Sequence, residues 1–168
     1  MAANVVLRAA LPSDGLAIES ILSASYSELL KGAYSEPLLA VALPALTRAN
    51  PVLLASGTFY LAENSSGCMV GCGGWTHQRP GTDEIEEGIA HIRHFATHPD
   101  WSARGIGRLI YNHCEGQARE ARVKIFDCYS TLNAQPFYAA LGFRTISANE
   151  VMLRGTIKFP IVLMRRSI

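Results

Sequence analysis

Two glycines stand one residue apart at the start of a predicted helix, in the stretch WSARGIGRLIYNHCEG (101–116). Glycine is a poor helix former, so Gly105 and Gly107 must serve a purpose other than helix stability. A helix begins with unpaired backbone N–H groups and the positive end of its dipole, and this combination binds phosphate. Two residues without side chains would let a pyrophosphate approach the main chain, while Arg104 and Arg108 would add charge-assisted contacts.

A purely structural explanation of the same glycines is also open, because small residues permit tight packing of a helix against a strand. Among phosphate-binding motifs, the dinucleotide fingerprint requires a third glycine where this chain has Ile110. A Walker A loop requires Gly-Lys followed by Ser or Thr, and the chain contains no such sequence. The residues alone therefore predict a phosphate site without identifying its ligand.

The glycine pair lies between a strand pattern and a helix pattern. HIRHFATH (91–98) predicts a strand whose mixed polarity indicates a bulge. From residue 106 to about 120 the apolar positions recur at steps of three and four, which predicts a helix. VKIFDCYS (123–130) then predicts a buried strand, and NAQPFYAALGF (133–143) predicts a helix with a proline in its first turn and a glycine at its end.

The other segments predict further strands and helices around this unit. VVLRAA (5–10) is a strand pattern, followed by a helix that Ser13 or Asp14 would cap. A second helical segment lies between residues 37 and 50, and Pro44 argues against one unbroken helix there. Three further strand patterns complete the chain: the hairpin TFYLAE and CMVGCGGW around the turn NSSG, then FRTISANEVML, then FPIVLMRRS.

Length, charge and hydropathy narrow the class of protein. A chain of 168 residues fits a single domain over residues 1–168. The formal net charge of +1 gives no electrostatic basis for binding nucleic acid or an anionic membrane. No apolar run is long enough to cross a bilayer, and the N-terminal segment lacks the pattern of a secretory signal, so we expect a cytoplasmic protein. The four cysteines form no CxxC pair and are expected to be free thiols.

The same residues resemble the GNAT superfamily of N-acyltransferases. HPDWSARGIGRL is similar to the family's acyl-CoA signature, in which Arg or Gln is followed by two residues, Gly, one residue, and Gly or Ala. Gly105 and Gly107 match the last two places, and Ser102 departs from the first. NAQPFYAALGF resembles the family's last helix, and the order of the elements agrees over nearly the whole chain. The resemblance implies an α/β (α+β) fold with a mixed, mainly antiparallel sheet, splayed at the fourth and fifth strands, and helices on both faces.

The resemblance also implies acetyl-CoA as cosubstrate and an amine as acceptor. The pyrophosphate would lie on the glycine loop and the pantetheine beside the fourth strand, where a backbone N–H would polarise the thioester carbonyl. Asn133 would either bind the pantetheine or cap the following helix. The cofactor-binding residues implied in this way are Phe95, Ala96, Thr97, Ser102, Ala103, Arg104, Gly105, Ile106, Gly107, Arg108 and Asn133.

Two side chains are implied in catalysis. Tyr138 matches the tyrosine that protonates the departing CoA thiolate in many members, and a phenol with an ordinary pKa of about 10 makes that transfer nearly balanced. His91 lies where some members carry a catalytic carboxylate, and a histidine has a pKa suited to a general base. Alternatives for this base are His94, His98, Glu86, Glu87 or an ordered water.

Other ligands and functions are weighed against this interpretation. His91, His94 and His98 would scatter over both faces of a strand, so we expect no metal site. A CoA-binding sensor or interaction module without catalysis is the alternative within the same fold, and a nucleotide-binding domain is a third interpretation. The identity of the amine and the formation of a homodimer stay open. Tyr26 and Tyr34 lie where the family builds its acceptor pocket, although packing explains either residue.

Overall fold

The computed structural model describes residues 4–168, and a seven-stranded sheet is its centre. Five of the six neighbouring strand pairs are antiparallel, and β4 with β5 is the parallel pair. The spatial order is β1-β2-β3-β4-β5-β7-β6. The strands are β1 (Val5–Ala9), β2 (Phe59–Asn64), β3 (Met69–Thr76), β4 (Ile89–Thr97), β5 (Ile125–Ser130), β6 (Arg144–Leu153) and β7 (Ile157–Ser167).

Helices cover both faces of this sheet, as predicted. They are α1 (Gly15–Leu29), α2 (Glu36–Leu46), α3 (Pro51–Leu54), α4 (Ile106–Glu120) and α5 (Gln135–Ala140). α4 packs on one face through its buried stripe, which includes Ile110 and Cys114, and α5 adds Tyr138 to the same core. α1, α2 and α3 supply the cores of the other face. Within residues 4–168, no helix is both long and apolar enough to span a membrane.

β4 and β5 part from each other after only three residues. Their pairing joins residues 89–91 to residues 125–127, and beyond that point β4 pairs with β3 while β5 pairs with β7. The facing edges then carry backbone N–H and C=O groups that no neighbouring strand satisfies. The splay predicted between the fourth and fifth strands is therefore present, and it opens a gap in the middle of the sheet.

The predicted bulge in the fourth strand is also present. His94 and Phe95 of β4 lie opposite the single residue Gly73 of β3, and His94 has a φ of 46°. The ring of Phe95 covers Gly73 so closely that a Cβ on this glycine would lie 2.7 Å from the ring. The extra residue turns Phe95 towards the core beneath α4 and Ala96 towards the core beneath α1.

The segment from residue 37 to residue 50 differs in part from the prediction. α2 continues through Pro44 and ends at Leu46, so the expectation that the proline would interrupt it was wrong. Pro44 removes the hydrogen bond to the carbonyl four residues earlier, but the helix continues for only two residues beyond it, and Thr47 closes its end by donating through both its N–H and its hydroxyl to the carbonyl of Leu43. A separate short helix, α3, follows with Asn50 as its cap.

The start of α1 differs in part from the sequence prediction, which named Ser13 or Asp14 as its cap. Asp14 occupies the N-cap position of α1, but its side chain accepts the N–H of Leu11 and pairs with Arg8 instead of capping the helix.

All four cysteines are free, as expected. Cys68 is exposed at the β2–β3 turn, and the other three are buried.

A substitution at Gly74 tests how tightly the centre of the sheet is packed. A Cβ at this residue would contact the carbonyl oxygen of Thr58 and would lie 2.6 Å from the Cα of Phe59. Because both neighbours are backbone atoms, Gly74→Ala should lower the free energy of unfolding by about 2–3 kcal/mol. Gly116→Ala is the control, since a Cβ there meets no neighbour, and it should raise that free energy by about 0.5–1 kcal/mol. Urea titrations check both changes, and a Gly74→Ala protein of wild-type stability would contradict this account.

Candidate active site

A cleft of about 480 Å³ opens at the gap between β4 and β5. α1 forms one wall, and the loop before α4 and the start of α5 form the other. The cleft brings together most of the residues that the sequence singled out, although they come from four separate elements. Those that line it are Phe95, Ala96, Thr97, Ser102, Ala103, Gly105, Ile106, Gly107, Arg108, Asn133 and Tyr138.

The loop before α4 bends through two residues in the left-handed region. Ala103 has a φ of 59° and Gly105 a φ of 78°, and Gly105 is the N-cap of α4. Alternating left-handed and right-handed residues turn successive backbone N–H groups towards one side, which forms an anion-binding concavity. No side chain caps α4, so the N–H groups of its first turn remain available to a ligand. Glycine is favoured at position 105 because it adopts this backbone conformation without the strain that a side chain adds.

Glycine occupies position 107 for a different physical reason from that at position 105. Its φ is not positive, but a Cβ on this residue would lie 2.9 Å from the ring of Phe137 in α5. The glycine thus allows α5 to approach the first turn of α4, which supports the packing explanation for this residue. Gly107 also lines the cleft, so close packing and access to a ligand coincide here.

The polar side chains of this loop differ in where they point. The hydroxyl of Ser102 donates to a carbonyl of the preceding turn at 2.8 Å, so it braces the loop. The guanidinium of Arg104 lies over the ring of Trp101, 4.6 Å from its centroid, and Arg104 does not line the cleft. Arg108 does line it, while donating at 3.3 Å to the carbonyl of Ala140. Arg108 is therefore the better placed of the two predicted arginines.

Tyr138 projects from α5 into the gap and is 6% exposed. Aromatic rings surround it, with Phe137 and Phe143 at centroid distances of 5.0 and 5.6 Å. Burial raises the pKa of its phenol well above the ordinary value, and the neighbouring thiol of Cys128 acts in the same direction. The hydroxyl is therefore protonated at neutral pH, but it is a weaker acid than a phenol of ordinary pKa, so the nearly balanced proton transfer expected from the sequence becomes uphill.

Two hydroxyl groups of α1 face the same gap from the opposite side. Tyr26 donates to the carbonyl oxygen of Phe95 at 3.3 Å, and burial raises the pKa of this phenol as well. The hydroxyl of Ser25 is fully buried, lines the cleft and has no hydrogen-bond partner within residues 4–168. Our sequence analysis missed Ser25, and the available signal was a polar residue in the apolar stripe of Ile18, Ile21 and Leu22.

Asn133 lines the cleft from the β5–α5 loop. The N-cap of α5 is Ala134, and no side chain caps this helix. The capping role considered for Asn133 is therefore wrong, and its amide is free to bind a ligand in the cleft. In the part of the chain that is described, the side-chain hydrogen bonds of this loop involve Ser130, Leu132 and Gln135 but not the amide of Asn133.

His91 lies outside this cleft. It is 4% exposed in the paired half of β4 and lines a separate cavity of about 290 Å³ with Arg79, Glu84 and Glu86. Burial lowers the pKa of His91 to about 4, against the opposing effect of Asp127. The imidazole is therefore neutral at neutral pH and a weak base, and the structure does not bring it into the same cavity as Tyr138.

The histidines of β4 do not converge on one point. His94, at the bulge, lines a small cavity on the α1 side, and burial lowers its pKa to about 4. The ring of His98 instead caps the turn that follows β4, accepting the N–H of Asp100 at 3.2 Å. Among residues 4–168 no group of three or more His, Cys, Asp or Glu side chains is arranged to hold a metal ion.

Comparison with known proteins gives one family match. Residues 55–145 match the profile of the acetyltransferase (GNAT) domain, and this range includes the gap, the glycine loop and Tyr138. No curated protein matches the chain.

Solved structures share the fold at low sequence identity. A GCN5-related N-acetyltransferase from Rhodopseudomonas palustris has a TM-score of 0.77 at 23% identity, over 100% of this chain and 98% of that one. The PaiA N-acetyltransferase from Thermoplasma acidophilum, solved in complex with coenzyme A, has a TM-score of 0.72 at 14% identity, over 98% and 99%. A GCN5-related N-acetyltransferase from Kribbella flavida has a TM-score of 0.65 at 17% identity, over 98% of both chains.

The two buried histidines predict how acid affects stability. In the unfolded chain they take up protons near pH 6.5, whereas in the folded protein His91 and His94 resist protonation until about pH 4. The unfolded state therefore binds more protons in this window, and stability should fall as the pH drops from about 6.5 to 4. His91→Gln should remove up to about 3 kcal/mol of that loss. Urea unfolding at several pH values measures it, with exposed His113→Gln as control, and an unchanged acid slope in His91→Gln would contradict the assignment.

Proposed function

The chain belongs to the GNAT acetyltransferase family, and on that premise we propose that it is an N-acetyltransferase that transfers the acetyl group of acetyl-CoA to an amine by direct attack. The observation that carries this proposal is the cleft at the β4–β5 gap. It combines an uncapped helix N-terminus, an open strand edge and a protonated phenol in one cavity. These are the three groups that binding and cleaving a phosphate-bearing thioester requires.

In this proposal acetyl-CoA binds along the loop and the open strand. Its pyrophosphate accepts hydrogen bonds from the N–H groups around Gly105 and Gly107, and Arg108 adds a charge-assisted contact. The pantetheine pairs with the backbone of Phe95, Ala96 and Thr97, which β5 leaves unpaired at the gap. This arrangement supports acetyl-CoA as a cosubstrate because the polar backbone groups have no partner strand to satisfy them.

The reaction needs one nucleophile and one proton donor. The nitrogen lone pair of the amine attacks the thioester carbon, a C–N bond forms, and the C–S bond breaks. A backbone N–H of β4 stabilises the negative charge on the carbonyl oxygen. The departing thiolate takes a proton from the hydroxyl of Tyr138, which the buried site keeps protonated until that moment.

The amine must lose one proton as well, and His91 is the less favourable acceptor for it. A histidine with a pKa of about 4 takes a proton from an ammonium group at a large energetic cost. Water in the cleft is the proton acceptor in this mechanism because it passes the proton on to bulk solvent, whereas His91 lies in a separate cavity and would act only through a chain of water molecules. We also propose that residues 1–168 form a single domain and that the protein is cytoplasmic.

The alternative is a CoA-binding module of the same fold that has lost catalysis. An amine library incubated with acetyl-CoA separates the two functions, because only an enzyme releases free CoA faster than spontaneous hydrolysis does. Protein that binds acetyl-CoA but releases no CoA with any amine class would favour the alternative.

Binding at the loop is tested by Gly107→Glu. The new side chain would displace Phe137 and would put a negative charge where the pyrophosphate binds, so acetyl-CoA affinity should fall by at least about 10²-fold. Gly116→Glu is the matched control, since it adds the same side chain to the same helix in open space. Calorimetry measures both, and thermal unfolding verifies that both proteins are folded. Near-wild-type affinity in Gly107→Glu would mean that the pyrophosphate binds elsewhere.

The proton donor is tested by Tyr138→Phe. The ring packing is kept and only the hydroxyl is lost, so kcat should fall roughly 10²- to 10⁴-fold while acetyl-CoA affinity stays unchanged. Tyr111→Phe is the control, because this buried tyrosine bonds to Arg166 away from the cleft and its loss should not change kcat. The effect of Tyr138→Phe should shrink with acyl donors whose thiols have a lower pKa. Full kcat in this variant, with chemistry rate-limiting, would assign the proton to another group.

A further inference from the structure

The cavity beside His91 lies on the face of the sheet opposite α4. A row of polar side chains crosses four strands there, in cross-strand register: Thr76, His91, Asp127 and Arg165. The residues next to them in β4 and β5, such as Ala90 and Phe126, belong to the apolar core under α4. This polar row lies at the end of the sheet where β4 and β5 are still paired.

The carboxylates around this cavity already have partners. Asp127 accepts two hydrogen bonds from Arg165, at 2.6 and 2.9 Å. Glu84 and Glu86 both pair with Arg79, at 3.0 and 3.8 Å. These three carboxylates are thus each paired with an arginine.

Arg93 is another positively charged side chain beside His91. It lies two residues after His91 on the same face, and its Nη1 donates to the hydroxyl of Thr76 at 3.0 Å, which draws the guanidinium back beside His91. Within residues 4–168 it forms no ion pair. Arg93 is partly buried, and burial lowers its pKa. A partly buried guanidinium with one neutral partner leaves most of its donors free for an anion.

Arg93 lies on the same strand, β4, as the backbone edge at which the proposed reaction takes place. His91 and Phe95 are four residue steps apart along β4, and the bulge absorbs one step, so their backbones are about 10 Å apart. The intervening face carries Arg93 and Tyr129, which both retain solvent exposure. A molecule of that length would reach from the gap, where an amine meets the thioester, to the guanidinium.

We propose that Arg93, together with His91, binds a carboxylate of the acceptor, so that the acceptor is an extended small amine with a carboxylate at its far end. This inference rests on the proposed N-acetyltransferase function. A guanidinium matches the two oxygens of a carboxylate, and the neutral imidazole of His91 supplies a further N–H donor. The buried, neutral state of His91 is consistent with a role in binding.

The test compares 6-aminohexanoate with hexylamine, which differ by the carboxylate. Wild-type protein should release CoA from acetyl-CoA with a kcat/KM at least about 10²-fold higher for 6-aminohexanoate. Arg93→Gln should reduce this preference to less than about tenfold, through the rate for 6-aminohexanoate, and leave the rate for hexylamine unchanged. Arg119→Gln, an exposed arginine on α4, is the matched control and should keep the full preference.

A binding measurement separates this inference from the proposed reaction. Calorimetry with 6-aminohexanoate, with and without CoA, should show binding that weakens at least tenfold in Arg93→Gln. Arg93-dependent binding without any CoA release would remove the transferase proposal and keep the carboxylate site. The site is overturned if wild-type protein binds or acetylates both amines equally, or if Arg93→Gln weakens both amines by the same factor while remaining folded.

Discussion

The end of the parallel pairing between β4 and β5 is the constraint on which the rest of the structure depends. Three residues of each strand pair, and the backbone groups beyond them have no partner strand. Such groups are costly to bury unless a side chain, water or ligand satisfies them. The carbonyl of Phe95 is satisfied by Tyr26, and the remainder of this edge faces the cleft. A gap of this kind persists because β3 and β7 hold the outer edges of the two strands.

Glycines around the gap permit close contacts between neighbouring strands and between two helices. Gly73 and Gly74 let the bulged strand and β2 approach β3 more closely than any side chain would permit. Gly107 does the same between α4 and α5, which fixes Tyr138 relative to the loop. The position of the phenol therefore depends on helix packing as much as on its own sequence context. Gly105 differs from all three, since its role is a left-handed backbone conformation.

Much of this arrangement was predictable because it is recorded in local patterns. The period of the apolar residues predicted α4, mixed polarity predicted the bulge in β4, and closely spaced glycines predicted the loop. The errors and omissions concern contacts between distant segments. The contact of Phe137 with Gly107 depends on how α5 packs against α4. The separate cavity of His91 and the hydrogen bond from Arg93 to Thr76 depend on which strands are neighbours and in which register.

The distribution of the four thiols has a practical consequence. Burial raises the pKa of Cys72 and Cys128 to about 12 and raises that of Cys114 too, so these side chains present almost no thiolate to a reagent near neutral pH. Cys68 is exposed at the β2–β3 turn. A maleimide dye will therefore attach at that one turn under native conditions, which provides a site-specific fluorescent handle without engineering the chain. The same thiol will contribute one equivalent of background colour when free sulfhydryl groups are counted with a disulfide reagent, and Cys68→Ser removes that contribution.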